Sequence, residues 1–171
     1  MYSGNDAATA IAEYVGGSEE AFVNMMNRRA QELMANGTHF MNPHGLHDDN
    51  HYTTAYDLYL IFNECIKHED FVNIIQSEAY TAYYTDVDGN SQEVLFTPTN
   101  LYAQGEVDVP ENVTIVGGKT GTTDEAGYCL ILMEKDSSDN PYISIVMGAS
   151  EKPVLYEDMT SLIEAIPSGQ Q

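Results

Sequence analysis

Apolar positions recur with a helical period over the first half of the chain and with period two over most of the second. Asn5 or Asp6 is expected to cap a short helix that runs to Val15 and is closed by Gly16-Gly17. Ser18 predicts the next N-cap, with Glu19 and Glu20 in the first turn, where carboxylates suit the helix dipole. The stripe of that helix is Phe22, Met25, Met26, Ala30, Leu33 and Met34, and Asn36-Gly37 is its expected stop. Thr54 with Asp57 predicts a capped third helix with Ala55, Leu58, Tyr59, Phe62, Cys65 and Ile66 on one face. A shorter helical piece over 69–76 carries Phe71, Ile74 and Ile75.

The period then changes. "AYTAYYTDVDGNSQEVLF" alternates around Asp88-Gly89, a hairpin signal. "NVTIVGGKT", "GYCLILMEK" and "YISIVMGAS" read as further strands, the last two joined by the loop "DSSDNP". Residues 154–166 return to a helical stripe, Leu155, Met159, Leu162, Ile163 and Ile166, with Pro167 as the expected stop. Helices, then strands, then one helix to cover the sheet give an α+β class in one domain spanning 1–171.

Charge narrows the function classes. The 171 residues carry six basic and 27 acidic side chains, a formal net charge of −21 and a pI near 4.1. No nucleic acid or anionic lipid surface suits such a chain as partner. No apolar run is long enough to span a membrane, and "MYSGNDAATA" lacks the basic start and apolar core of an export signal. Cys65 and Cys129 each sit in an apolar run and read as buried thiols rather than a disulfide framework.

Against that background one cation stands out. Lys119 lies in "VGGKTGTT", which reads as a glycine-rich turn ending a strand. Taken alone, Gly117, Gly118 and Gly121 would serve turns and Lys119 would be an edge charge that discourages strand pairing. The run Thr120, Gly121, Thr122, Thr123 beside it instead offers donors on an extended backbone, a cradle for a carboxylate. Ser3-Gly4-Asn5 alone would be a helix N-cap.

Together, Ser-x-Asn at residue 3 and Lys-Thr-Gly at residue 119 resemble two of the three signatures of the penicillin-binding and serine β-lactamase group. "SGNDAATAIAEYVGGSEEAFVNMMNRRAQELMANGTHFMNPHGLHDDNHYTTAYDLYLI", "TPTNLY" and "GGKTGTTDEAGYCL" resemble, in order, the D-alanyl-D-alanine carboxypeptidases, the low-molecular-weight penicillin-binding proteins. The resemblance implies that Ser3 relays protons, that Asn5 bonds the substrate amide, and that Lys119 supplies positive potential for the terminal carboxylate. It further implies that Thr120 and Thr122 bind that carboxylate or the peptide backbone, with the Thr122 N–H as an oxyanion donor. Gly121 would let substrate approach closely. The implied reaction removes the terminal D-Ala of peptidoglycan stem peptides through an acyl-enzyme, without cofactor or metal, outside the cytoplasmic membrane. β-Lactams are the implied inhibitors. A non-catalytic muropeptide- or β-lactam-binding domain is the rival class. A serine β-lactamase ranks below both, because "FMNPHGL" and "AGYCL" flank the motifs as in the carboxypeptidases.

The departure concerns the nucleophile. None of the serines at 3, 18, 77, 91, 137, 138, 144, 150, 161 and 168 has a lysine three positions on, so Ser-x-x-Lys does not occur. In the resembling family that motif precedes Ser-x-Asn. The expectation is therefore a transpeptidase-like domain truncated at its amino end, without the first strands and nucleophile helix, and inactive by itself. "YISIVMGAS" would then be a sheet edge unless another segment covers it. Residues 149–160 offer only Lys152 as a further cation, which places more weight on Lys119.

Two other clusters take structural readings. His39, His44, His47 and His51 crowd with Asp48 and Asp49, but their spacing fits no helical zinc motif, so no metal is expected. Tyr80, Tyr83 and Tyr84 read as strand residues on a half-buried face rather than a carbohydrate-stacking surface.

Overall fold

The computed structural model describes residues 2–167; Met1 and Ser168 fall outside them. α1 (Asn5–Gly16) and α2 (Glu19–Glu32) form a tight helical hairpin. The N-cap of α1 is Gly4, not Asn5 or Asp6: Asn5 is already helical, and the cap makes no side-chain hydrogen bond. Gly17 closes the helix in the left-handed region at φ 80°, where a side chain would be strained. A Cβ on Gly16 would lie 2.7 Å from the Phe22 nitrogen, so the two helices meet backbone to backbone there. Ser18 caps α2, accepting from Ala21 N at 3.1 Å. The helix stops at Glu32, before Asn36-Gly37, because Met34 turns left-handed at φ 63°.

The histidine-rich loop is tied down by its polar neighbours. Asn27 of α2 clamps Phe40 through two hydrogen bonds of 2.8 Å, and Thr38 donates to the buried Asp57 at 2.7 Å. Thr54 caps α3 (Ala55–Cys65) by accepting from Asp57 N, and α4 (Glu69–Ile75) comes next. β1 (Tyr80–Thr85) and β2 (Ser91–Phe96) pair antiparallel as a separate two-stranded arm. Asp86 organises its turn by accepting from Asp88 N and Asn90 N, with Gly89 at φ 85°. Tyr80, Tyr83 and Tyr84 are 67, 75 and 53% exposed, more open than the half-buried face expected of them; Ala82, Val94 and Phe96 are the partly buried residues of the face that Tyr80 and Tyr84 share.

A single turn, α5 (Leu101–Gln104), precedes the main sheet, whose antiparallel order is β3 (Val113–Thr123), β4 (Gly127–Asp136), β5 (Pro141–Ala149). Among the described residues β3 and β5 are its edges. α6 (Lys152–Glu164) covers it, starting before residue 154 with Pro153 in its first turn and ending before Pro167. Alternation along β4 separates two cores. Leu130 and Leu132 pack with Leu155, Met159 and Ile163 of α6 and Tyr102 of α5. Ile131 and Met133 face the other way, toward Phe62 of α3 and Phe71 and Ile75 at α4. The sheet is thus held between the helical half and α6, as an α+β chain requires.

Candidate functional site

The Gly117–Thr123 stretch is not a turn. It is the second half of β3, in register with β4 from Gly117↔Met133 to Thr123↔Gly127. The β-branched run Val113-Thr114-Ile115-Val116 favours extended backbone, and the pairing carries it through the glycines. Register shifts by one between Ile115 and Gly117, a bulge that re-aims the remainder of the strand. The glycines then divide by cause. A Cβ on Gly117 would stand 2.2 Å from the Ile75 carbonyl oxygen at the end of α4, and one on Gly118 would stand 2.0 Å from the Ile131 oxygen. Packing requires both. A Cβ on Gly121 would meet only the Cys129 Cβ, at 4.0 Å, so nothing among the described residues requires glycine there.

Lys119 pairs with Ile131 and is half-buried. Its Nζ donates to the Thr120 carbonyl at 2.6 Å and has no carboxylate partner among the described residues. By contrast, Arg29, Lys67 and Lys135 all reach acidic side chains, at Glu32 and Glu64, Glu64, and Asp139. Burial holds the Lys119 pKa below the ordinary 10.5. A partly desolvated, unpaired cation in a chain of net charge −21 favours an anionic ligand over water. Thr120 Oγ shares a 2.5 Å hydrogen bond with Thr99 Oγ, and Gly121 and Thr122 beyond it are exposed.

Ser3 and Asn5 stand at the mouth of α1, both exposed, with no side-chain hydrogen bond among the described residues. Their neighbours Tyr2, Gly4 and Ala7 line an apolar cleft of about 390 Å³ with Phe96 and Pro98. A second cleft, of about 430 Å³, runs from Ser77 and Pro98 to Gly117 and Gly118. Ser77 and Pro98 line both clefts. No hydrogen bond among the described residues joins Ser3 or Asn5 to β3 directly. Nor does any serine hydroxyl share a hydrogen bond with a lysine or histidine, the pairing a nucleophile needs. The arrangement can hold the carboxylate of an extended peptide against an open strand edge.

Thr99 was legible only as part of "TPTNLY"; nothing in its spacing marked it as a neighbour of Thr120. The histidines find separate partners: His39 the Asn50 carbonyl, His47 the Asp49 carboxylate, His51 the Met41 N–H. No cluster of three metal-ligating side chains forms among the described residues. Cys65 and Cys129 are free thiols, each partly buried. No described helix is long and apolar enough to cross a membrane.

A family model described as D-alanyl-D-alanine carboxypeptidase matches residues 1–151. The chain is 34% identical over 164 residues to the D-alanyl-D-alanine carboxypeptidase DacF of Bacillus subtilis, covering 95% of this chain and 39% of that protein. Its fold is similar to a crystallised Streptomyces DD-transpeptidase, with a TM-score of 0.82, 26% identity, and 93% and 61% of the two chains covered. It is also similar to the carboxypeptidase DacD of Francisella tularensis, with a TM-score of 0.78, 26% identity, and 94% and 48% covered. The chain therefore spans about two fifths of the Bacillus relative and about three fifths of the Streptomyces one.

Proposed function

The chain belongs to the D-alanyl-D-alanine carboxypeptidase family, and from that premise we propose that it forms the carboxylate- and amide-binding walls of a serine-type D-Ala-D-Ala carboxypeptidase. The substrate is a peptidoglycan stem peptide ending in D-Ala-D-Ala, laid along the open edge of β3. Lys119 and the Thr120 hydroxyl hold its terminal carboxylate. The Thr122 N–H serves as an oxyanion donor, worth on the order of 3 kcal/mol in the transition state. Gly121 leaves room for the peptide. Asn5 bonds the substrate amide and Ser3 relays the proton to the leaving amine. β-Lactams, which present a similar carboxylate, are the expected inhibitors. The site of action is outside the cytoplasmic membrane, where peptidoglycan lies.

One observation carries this reading: Lys119, half-buried beside a hydroxyl and an unexplained glycine, has no acidic partner among the described residues. The test is titration of the purified chain with an N-acetylated tripeptide ending in D-Ala-D-Ala, against the same peptide as its C-terminal amide. The free acid should bind more tightly, and Lys119→Ala should remove that preference. Equal binding of acid and amide overturns the reading. Because Ser-x-x-Lys does not occur in the sequence, a second reading has the chain bind muropeptide without turning it over. Binding with no release of D-alanine favours it.

A further inference from the structure

We propose that Thr99 is a positioning residue for this site: its hydroxyl donates to Thr120 Oγ and thereby turns the single Thr120 proton toward the ligand carboxylate. The proposal rests on the carboxylate reading above and adds to it a residue outside the two motifs. Two hydroxyls 2.5 Å apart share one hydrogen bond, and either can be its donor. If Thr120 donates to Thr99, it has no proton left for an anion. If Thr99 donates to Thr120, the Thr120 proton is free. A carboxylate only accepts, so its arrival selects the second arrangement.

The support behind Thr99 is rigid. Pro98 and Asn100 on either side of it are buried. The Pro98 carbonyl accepts from Gln104 Nε2 at 2.7 Å, and Asn100 caps α5 by accepting from Tyr102 N at 3.0 Å. Leu101 N donates to Tyr156 Oη of α6 at 3.0 Å, and Tyr102 Oη shares a 2.7 Å bond with Thr160 of the same helix. Thr99 is therefore held from α6, through α5, against the middle of β3. A hydroxyl fixed in this way orients its partner at little entropic cost, which a freely rotating threonine could not do.

The measurement is the ratio of affinities for the free-acid and amide forms of the D-Ala-D-Ala tripeptide. Thr99→Val removes the donor while keeping the shape. It should lower affinity for the acid about tenfold, the lower end of the range for one hydrogen bond to a charged acceptor, and leave the amide unchanged. Thr99→Ser should keep the wild-type ratio. In a Thr120→Val background, Thr99→Val should have no further effect. If valine is not tolerated at 99, Thr99→Ala carries the same expectations. A wild-type ratio retained by Thr99→Val or Thr99→Ala overturns this proposal alone. A loss of affinity equal for acid and amide also overturns it, since that marks a structural role. A wild-type chain that does not distinguish acid from amide overturns the carboxylate reading itself.

Discussion

At the scale of single residues, the site is defined by what the fold does not require. Gly117 and Gly118 are glycines because carbonyl oxygens of Ile75 and Ile131 occupy the space of a side chain. Gly121, three positions on, faces no such contact. Gly117→Ala should therefore cost about 1–3 kcal/mol, the range of an overpacked core, read as a lowered midpoint in denaturant. Gly121→Ala should leave the midpoint within about 1 kcal/mol, since alanine suits an ordered backbone better than glycine. It should nonetheless weaken the D-Ala-D-Ala peptide in the same titration. Lys119 works by the same logic of the unexplained. Its burial lowers the pKa below 10.5, so affinity for the free acid should hold at neutral pH and fall as alkaline pH discharges the ammonium, starting before an ordinary lysine would.

Among the elements, β4 holds the structural anomaly. Glu134 is fully buried, and neither carboxyl oxygen has a hydrogen-bond partner. Burial raises the Glu134 pKa from 4.5 to about 8, outweighing the opposite effect of Ser144 on the neighbouring strand. Between those values the folded chain keeps a proton that the unfolded chain releases, so stability falls as pH rises. The contribution is complete below pH 4.5, and at pH 7 the deficit is about 3 kcal/mol. The turn between β4 and β5 has the opposite sign. Asp136 accepts from Asn140 through its side chain and backbone, and from Ser138 N and Tyr142 Oη, which holds its pKa below 3.8. That support is present above pH 3.8 and lost as acid protonates the carboxylate. The chain should be most stable in mild acid, near pH 4–5. Replacing the carboxyl by an apolar side chain of similar size, Glu134→Met, should flatten the alkaline slope and stabilise the protein at pH 8 by a few kcal/mol. Urea midpoints measured from pH 4 to 9 check this; equal slopes in the two proteins would contradict it.

For the molecule as a whole, recognition and nucleophilic chemistry are separate questions. No serine meets a lysine or histidine among the described residues. Incubation of this chain with a fluorescent penicillin should leave no covalent label after denaturation, and a stoichiometric adduct would refute that. The sequence by itself determined the order of the elements apart from the single turn α5, because period 3.6 and period 2 are local properties, written by which residues must face a core. It also determined the caps at Ser18 and Thr54 and the hairpin turn at Gly89, each set by one residue's own stereochemistry. Lys119, Thr120 and Gly121 were visible as a motif, since they are contiguous. Features that depended on distant partners were not legible. The strand that carries Lys119 through three glycines is imposed by its register with β4. The arm that leaves Tyr80, Tyr83 and Tyr84 in solvent came from which sheet β1 and β2 did not join. The burial of Glu134 depended on α6 closing over the sheet, and the meeting of Thr99 with Thr120 on α5 docking against α6. Alternation can assign a side chain to a face, but only tertiary packing decides what, if anything, that face meets.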